Sequence, residues 1–118
     1  MAALSSDDSP VYLRLRGTIA AAILRGDFSA GDQLPSVRAL AAEHGANPLT
    51  VAKAYQSFQD DGYVEVRRGV GMFVLAGAAE RLRDAERSDF VDNHWPRIRA
   101  HIDLLGLDAA ELLDRQDA

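Results

Sequence analysis

The stretch EHGANPLTVAKAYQ, residues 43–56, decides how the chain is read. Apolar residues recur at helical spacing on both sides of it, yet Gly45, Asn47 and Pro48 interrupt the pattern in the middle. Upstream, Ser36 can cap a helix whose Val37, Leu40, Ala41 and His44 share one face, and Gly45 stands where a left-handed residue ends such a helix. Downstream, Asn47 can accept from the open N–H groups of a new helix, and Pro48 fills the first helical position, where its missing N–H is harmless. Val51, Ala54, Tyr55 and Phe58 form the inward stripe of this second helix, which Gly62 closes. The interruption is a sharp break between two helices, the sequence form of a helix-turn-helix.

Outward from that break, Ser9 as cap and Pro10 as first residue open an earlier helix. Its stripe is Tyr12, Leu15, Ile19, Ala22 and Ile23, and it ends near Gly26. Residues 26–32 are rich in turn formers, and Gln33-Leu34-Pro35 is a short extended piece before proline. Beyond Gly62 the period changes to alternation. Residues 63–67 read as a strand, 68–71 as a turn and 72–75 as the returning strand, a hairpin wing. From Gly77 to Leu105 the composition is helical, and Val91, Trp95, Ile98, Ile102 and Leu105 recur at steps of 4, 3, 4 and 3, a narrow seam. Pro96 inside that seam predicts a kink or a break near Asn93 to Trp95. Gly106 ends the element, and Asp108 with Glu111 has the form of a capping box leading into a last helix with Leu112 and Leu113. The fold class expected is α+β, mostly helical: an N-terminal winged helix-turn-helix over residues 9–76, followed by a short α-helical tail over 77–116.

At 118 residues the chain suits one domain with a short appendage. Its longest purely apolar run, Ile19 to Leu24, is far too short to span a bilayer. The first residues lack the basic start and apolar middle of a secretory signal, and with no cysteine present a reducing cytoplasm is expected. A net charge of −5 at first opposes a nucleic-acid partner, but the excess acid is unevenly placed. Residues 1–77 carry seven Lys/Arg against eight Asp/Glu, and residues 78–118 six against ten. An average charge does not exclude a local basic face, because charges act over about 8–10 Å in salt.

If Val51, Tyr55 and Phe58 point inward, Leu49, Lys53, Gln56 and Asp60 fall opposite them, with Thr50, Ala52 and Ser57 flanking. In a helix-turn-helix the N-terminal residues of the second helix reach base edges in the major groove. Lys53 is the only lysine of the chain, although any surface helix can carry one. Arg38 lies in the first turn of its helix, where the helix dipole disfavours a cation and a nearby anion would explain it. Arg67 and Arg68 stand beside Gly69 and Gly71, and glycine at a hairpin tip permits close approach to a duplex while also satisfying the turn itself.

The segment GDQLPSVRALAAEHGANPLTVAKAYQSFQDDGYVEVRRGVGMFV, residues 31–74, resembles the DNA-binding domain of GntR-type bacterial transcription regulators. Leu34-Pro35-Ser36, Arg38, Thr50-Val51, Gly62 and Gly69-x-Gly71 are in register with that family's pattern. The Asn47-Pro48 start and the short tail resemble the YtrA subfamily, whose members lack a large effector domain. The resemblance implies a transcription regulator, a repressor, that meets DNA through a recognition helix over about 47–61 and a wing over about 63–75; because a single recognition helix reads few base pairs, a homodimer on an inverted-repeat operator is expected. It implies DNA contacts by Arg38, Thr50 and Lys53, approach of Gly69 to the minor groove, and a phosphate contact by Ser36. Where many members have arginine this chain has Pro48, so Leu49 would touch a thymine methyl instead. Asn47, Arg67 and Arg68 complete the expected DNA-binding set, and Val91, Trp95, Ile98, Ile102 and Leu105 the expected dimer seam.

Other readings compete. No residue set suggests catalysis: Asp60 and Asp61 are adjacent on a helix and do not face each other, and Gly69-x-Gly71 precedes no helix directly. His94 and His101 with Asp92 and Asp103 form a loose metal constellation without cysteine, so neither metal nor cofactor is expected. A winged helix used for protein docking is the alternative to DNA binding, and the negative net charge favours it. The tail seam could also fold back on the protomer's own core instead of pairing with a second copy. A small-molecule effector could sit only at a dimer interface, because a ligand pocket needs walls from several elements.

Overall fold

Helix α1 (Pro10–Arg25) buries Tyr12, Leu15, Ile19, Ala22 and Ile23, the stripe read from the sequence. The computed structural model describes residues 10–115, so the expected Ser9 cap, and the outer ends of the expected 9–76 and 77–116 spans, lie outside the described residues. Helix α2 (Val37–His44) starts where the Ser36 hydroxyl oxygen accepts from the Ala39 N–H at 3.1 Å. It ends at Gly45, whose φ of 59° turns the chain so that the Ala46 N–H reaches the Ala41 carbonyl at 2.9 Å. Helix α3 (Pro48–Asp60) begins at once, with Asn47 Oδ1 accepting from the Leu49 N–H at 2.8 Å. Val51, Ala54, Tyr55 and Phe58 are all buried, against α1 on one side and α2 on the other. The buried Tyr55 hydroxyl donates to the Pro35 carbonyl at 2.6 Å and fastens α3 to the segment that leads into α2.

Strands β1 (Val64–Arg67) and β2 (Gly71–Val74) pair antiparallel, with Val64 opposite Val74 and Arg67 opposite Gly71. Residues 31–34, spanning the end of the turn-rich segment expected to 32 and the start of the extended piece expected from 33, run along the free edge of β2. The Gly31 N–H reaches the Val74 carbonyl at 2.8 Å, the Val74 N–H reaches Asp32 at 2.9 Å, and the Leu34 N–H reaches Met72 at 2.8 Å. The wing is thereby tied to the base of the helix-turn-helix.

The chain divides into two compact units, the first ending at Arg83 and the second beginning at Asp84. Helix α4 (Ala78–Asp89) crosses that division. Its Ala78 and Leu82 are buried in the same apolar cluster as Leu15, Ile23, Val51, Phe58 and Val64. Arg81 and Arg83 add hydrogen bonds to the carbonyls of Gly62 at 2.8 Å and Leu24 at 3.2 Å. The first turns of α4 therefore belong with the winged helix, beyond the boundary expected after residue 76.

In the second unit the kink or break expected around Pro96 takes a different form. A π-helical turn (Phe90–His94) carries the chain without interruption into α5 (Trp95–Leu104). Proline lacks an N–H and its ring crowds the carbonyl four residues back. The wider turn relieves this, with the Trp95 N–H bonded to the Phe90 carbonyl five residues back. Asp89 braces the turn, one carboxylate oxygen accepting from Asn93 Nδ2 at 2.7 Å and the other lying 2.8 Å from His94 Nε2. A last helix, α6 (Ala109–Asp114), is capped by Asp108 Oδ1 accepting from the Ala110 N–H at 2.8 Å. Neither α5 nor α6 buries a residue.

Candidate nucleic-acid interface

With Val51, Ala54, Tyr55 and Phe58 buried, the opposite side of α3 presents Leu49, Ala52, Lys53, Gln56 and Asp60 to solvent, and Thr50 is half-buried beside them. Leu49 and Lys53 are four residues apart and share one face. Leu49 is 73% exposed. Asn47 is also exposed, but its side-chain oxygen is engaged by the Leu49 N–H. Further along, Gln56 Nε2 donates to Asp60 Oδ1 at 2.9 Å, so the polar groups of the later turn satisfy each other.

On α2, Ser36 and Arg38 are both exposed. The Ser36 oxygen serves as the helix cap, which leaves its hydroxyl hydrogen available to an acceptor. Arg38 sits one residue inside the helix start, among N–H groups that favour an anion.

The two wing arginines differ. Arg67 Nε donates to Glu65 Oε1 at 3.0 Å, and its guanidinium lies over the Phe73 ring at 4.0 Å from the centroid. Arg68, exposed at the start of the turn, has no such contact among the described residues. The glycines differ as well. Gly69 has φ of 77° and open space where a Cβ would project. Gly71 has φ of 151°, and a Cβ there would collide with the Gln33 side-chain amide. Gln33 Nε2 donates to the Val70 carbonyl at 2.9 Å. Gly71 is thus accounted for by packing within the chain, and Gly69 by backbone conformation alone. Sequence reasoning missed Gln33; its only signal was a polar residue in a short extended piece, and which strand it would lie beside was not readable locally.

The tail seam is present as a surface. Val91, Trp95, Ile98 and Leu105 are exposed, Trp95 at 38%, and Ile102 is half-buried. Among the described residues no group of three or more His, Cys, Asp or Glu is arranged to hold a metal ion, and His94 is instead directed to Asp89. No helix among the described residues is long and apolar enough to cross a membrane. Burial first, and then the Glu43 carboxylate, push the Tyr55 hydroxyl up to about 12.

The family model described as bacterial regulatory proteins, gntR family, matches residues 11–74. The chain is 31% identical over 107 residues to the uncharacterized HTH-type transcriptional regulator YhcF of Bacillus subtilis, covering 89% of this chain and 85% of that protein. It is 38% identical over 74 residues to the HTH-type transcriptional repressor YtrA of the same organism, covering 63% of this chain and 57% of that one. Among solved structures, a GntR family transcriptional regulator from Listeria monocytogenes superposes with a TM-score of 0.69 at 26% identity, covering 91% of this chain and 92% of that one.

Proposed function

Because the chain belongs to the gntR family of bacterial regulatory proteins and is a transcriptional regulator with a DNA-binding helix-turn-helix, not an enzyme, we propose that it represses transcription by binding an inverted-repeat operator as a homodimer. The observation that carries this reading is the solvent-facing first turns of α3, where Leu49 and Lys53 stand exposed on a helix entered through the Asn47 cap. Such a helix start is the part of a helix-turn-helix that meets base edges. Lys53 and Thr50 contact bases or phosphate in the major groove, with Asn47 and Leu49 beside them. Ser36 and Arg38, at the start of α2, hold the backbone. The wing lays Arg67, Arg68 and Gly69 against the adjacent minor groove.

In this proposal residues 9–76, with the first turns of α4 packed on them, read DNA, and the remainder of the 77–116 tail pairs the protomers through Val91, Trp95, Ile98, Ile102 and Leu105. The exposure of this seam supports pairing, since a stripe of that spacing left in water carries a free-energy cost that a second copy removes. A two-fold pair also doubles the bases read. Repression is supported by the named role of the similar YtrA of Bacillus subtilis. Cavities of about 220 and 270 Å³ lie within the first unit, below the usual ligand-site range of about 300–1,000 Å³. Wider, open clefts of about 380 Å³ beside Val91 and about 420 Å³ beside Ile98 lie on the tail seam, so a small effector would be held there, where a second protomer closes them.

The test is enrichment of genomic fragments bound by the protein, followed by footprinting. Two protected half-sites with centres about 10 bp or a multiple apart, together with raised transcription of the adjoining gene when the protein is deleted, are expected. A single unpaired half-site would overturn the dimeric reading, and lowered transcription the repressor.

A further inference from the structure

The first turn of α3 is unusual in what it offers a base pair. Pro48 and Leu49 are both exposed and neither side chain can donate or accept a hydrogen bond. Asn47, the polar residue beside them, has its Oδ1 committed to the Leu49 N–H at 2.8 Å, and a bidentate adenine contact would need that oxygen. Leu49 stands 73% exposed, while the other apolar residues of the helix with large side chains, Val51, Tyr55 and Phe58, are fully or nearly fully buried. It therefore makes no contribution to the protomer's core. In the major groove one base-edge group is recognised by apolar contact, the C5-methyl of thymine.

We infer that Leu49 is a specificity-determining residue that reads a thymine in each operator half-site through its methyl group. This rests on the major-groove docking of α3 proposed above and adds to it the class of base read at the helix start. Closing Leu49 onto the methyl removes apolar surface of both partners from water. No other pyrimidine or purine of unmodified DNA offers a methyl at that edge. Lys53, one turn further on the same face, falls over a neighbouring base pair or its phosphate, so the methyl contact fixes the register in which the lysine is presented.

The experiment uses the full chain and the operator found by enrichment, with each thymine replaced singly by deoxyuridine, which deletes only the methyl. Replacement at one thymine per half-site is expected to weaken wild-type binding by about fourfold, the equivalent of exposing one methyl group. Leu49→Ala is expected to bind the unmodified operator more weakly and to be indifferent to that same replacement. Thermal unfolding of Leu49→Ala should match wild type, because the side chain lies outside the core. A uridine scan that leaves wild-type affinity unchanged at every position, on an operator still bound tightly, overturns the Leu49 assignment alone. So does a Leu49→Ala variant that keeps the full sensitivity to uridine. Failure to bind any genomic fragment overturns the docking of α3 together with the thymine contact.

Discussion

The side-chain amide of Gln33 donates to the backbone carbonyl of Val70 at 2.9 Å, so a residue ahead of α2 holds the tip of the wing. The same side chain fills the space a Cβ would need at Gly71. Wing position is thereby coupled to the segment that ends in the Ser36 cap, and the wing cannot swing independently of the helix-turn-helix without breaking this hydrogen bond.

Gln33→Ala should cost about 1 kcal/mol of stability, the net worth of one hydrogen bond, and should weaken DNA binding by loosening the wing. Gly71→Ala should destabilise the fold whether or not DNA is present. Gly69→Val meets open space but is strained at φ 77°, so it should cost some stability and, beyond that, lower DNA affinity per folded molecule. Chemical denaturation alongside fluorescence anisotropy separates the three; a Gly69→Val variant that loses stability while binding normally would make that glycine purely structural.

The wing arginines should not be equivalent. Arg67 is already held by Glu65 and Phe73, so Arg67→Ala should loosen the hairpin. Arg68→Ala should leave folding unchanged and lower the salt slope of DNA binding by about one, as expected when a single phosphate is no longer neutralised. Anisotropy titrations over a range of salt concentrations read this slope, and an unaltered slope for Arg68→Ala would remove it from the interface.

Tyr55 makes stability fall at alkaline pH. Its hydroxyl is raised from 10.0 to about 12 in the fold, so the native state holds the proton more tightly than the unfolded chain. The resulting stabilisation is complete below pH 10 and is lost as pH rises through 12, on the order of 2 kcal/mol. Tyr55→Phe should lose the Pro35 hydrogen bond at neutral pH, about 1 kcal/mol, and should flatten the decline between pH 10 and 12. Urea unfolding at stepped pH measures both; a parallel decline in Tyr55→Phe would assign the loss to other groups.

Changing Trp95 and Ile98 together to glutamate should convert a dimer into a monomer while the first unit keeps its unfolding midpoint. A chain ended after Arg83 should behave likewise, because it retains Ala78 and Leu82 in the core. Ending it after residue 77 should cost stability, as Leu82 alone is a fully buried leucine of the kind whose loss costs about 2–5 kcal/mol. Light scattering and calorimetry test the three; a mutant pair that remains dimeric would place the interface elsewhere.

The helix-turn-helix was legible because each of its boundaries is set by local chemistry: Ser36 and Asn47 cap, Pro48 starts, Gly45 reverses. The stripes of α1 and α3 were legible because burial follows the helical period. What escaped reading depends on partners distant in sequence. Gln33 meets Val70 only after the chain has folded back, and residues 31–34 become a sheet edge only beside β2. Ala78 and Leu82 are too sparse a pattern to announce that α4 completes the core. At Pro96 the signal is local but ambiguous: a missing N–H and a crowding ring predict a disruption, and a kink, a break or the π-helical turn found here, with Asp89 bonded to Asn93 and His94, all satisfy it. Of the candidate DNA contacts, exposure follows from helical phase, whereas the engagement of Arg67 with Phe73 requires the hairpin register.

The most direct measurement of the central claim is operator binding by wild type, Lys53→Ala and Arg38→Ala, followed by anisotropy at several salt concentrations. Both side chains are exposed, so unfolding midpoints should be unchanged. Each variant is expected to bind the operator more weakly. A base contact by Lys53 should remove about 1–3 kcal/mol of specific binding, and loss of the phosphate contact by Arg38 should lower the salt slope by about one for all sequences. Wild-type affinity and slope in both variants would contradict the docking of α2 and α3 on DNA.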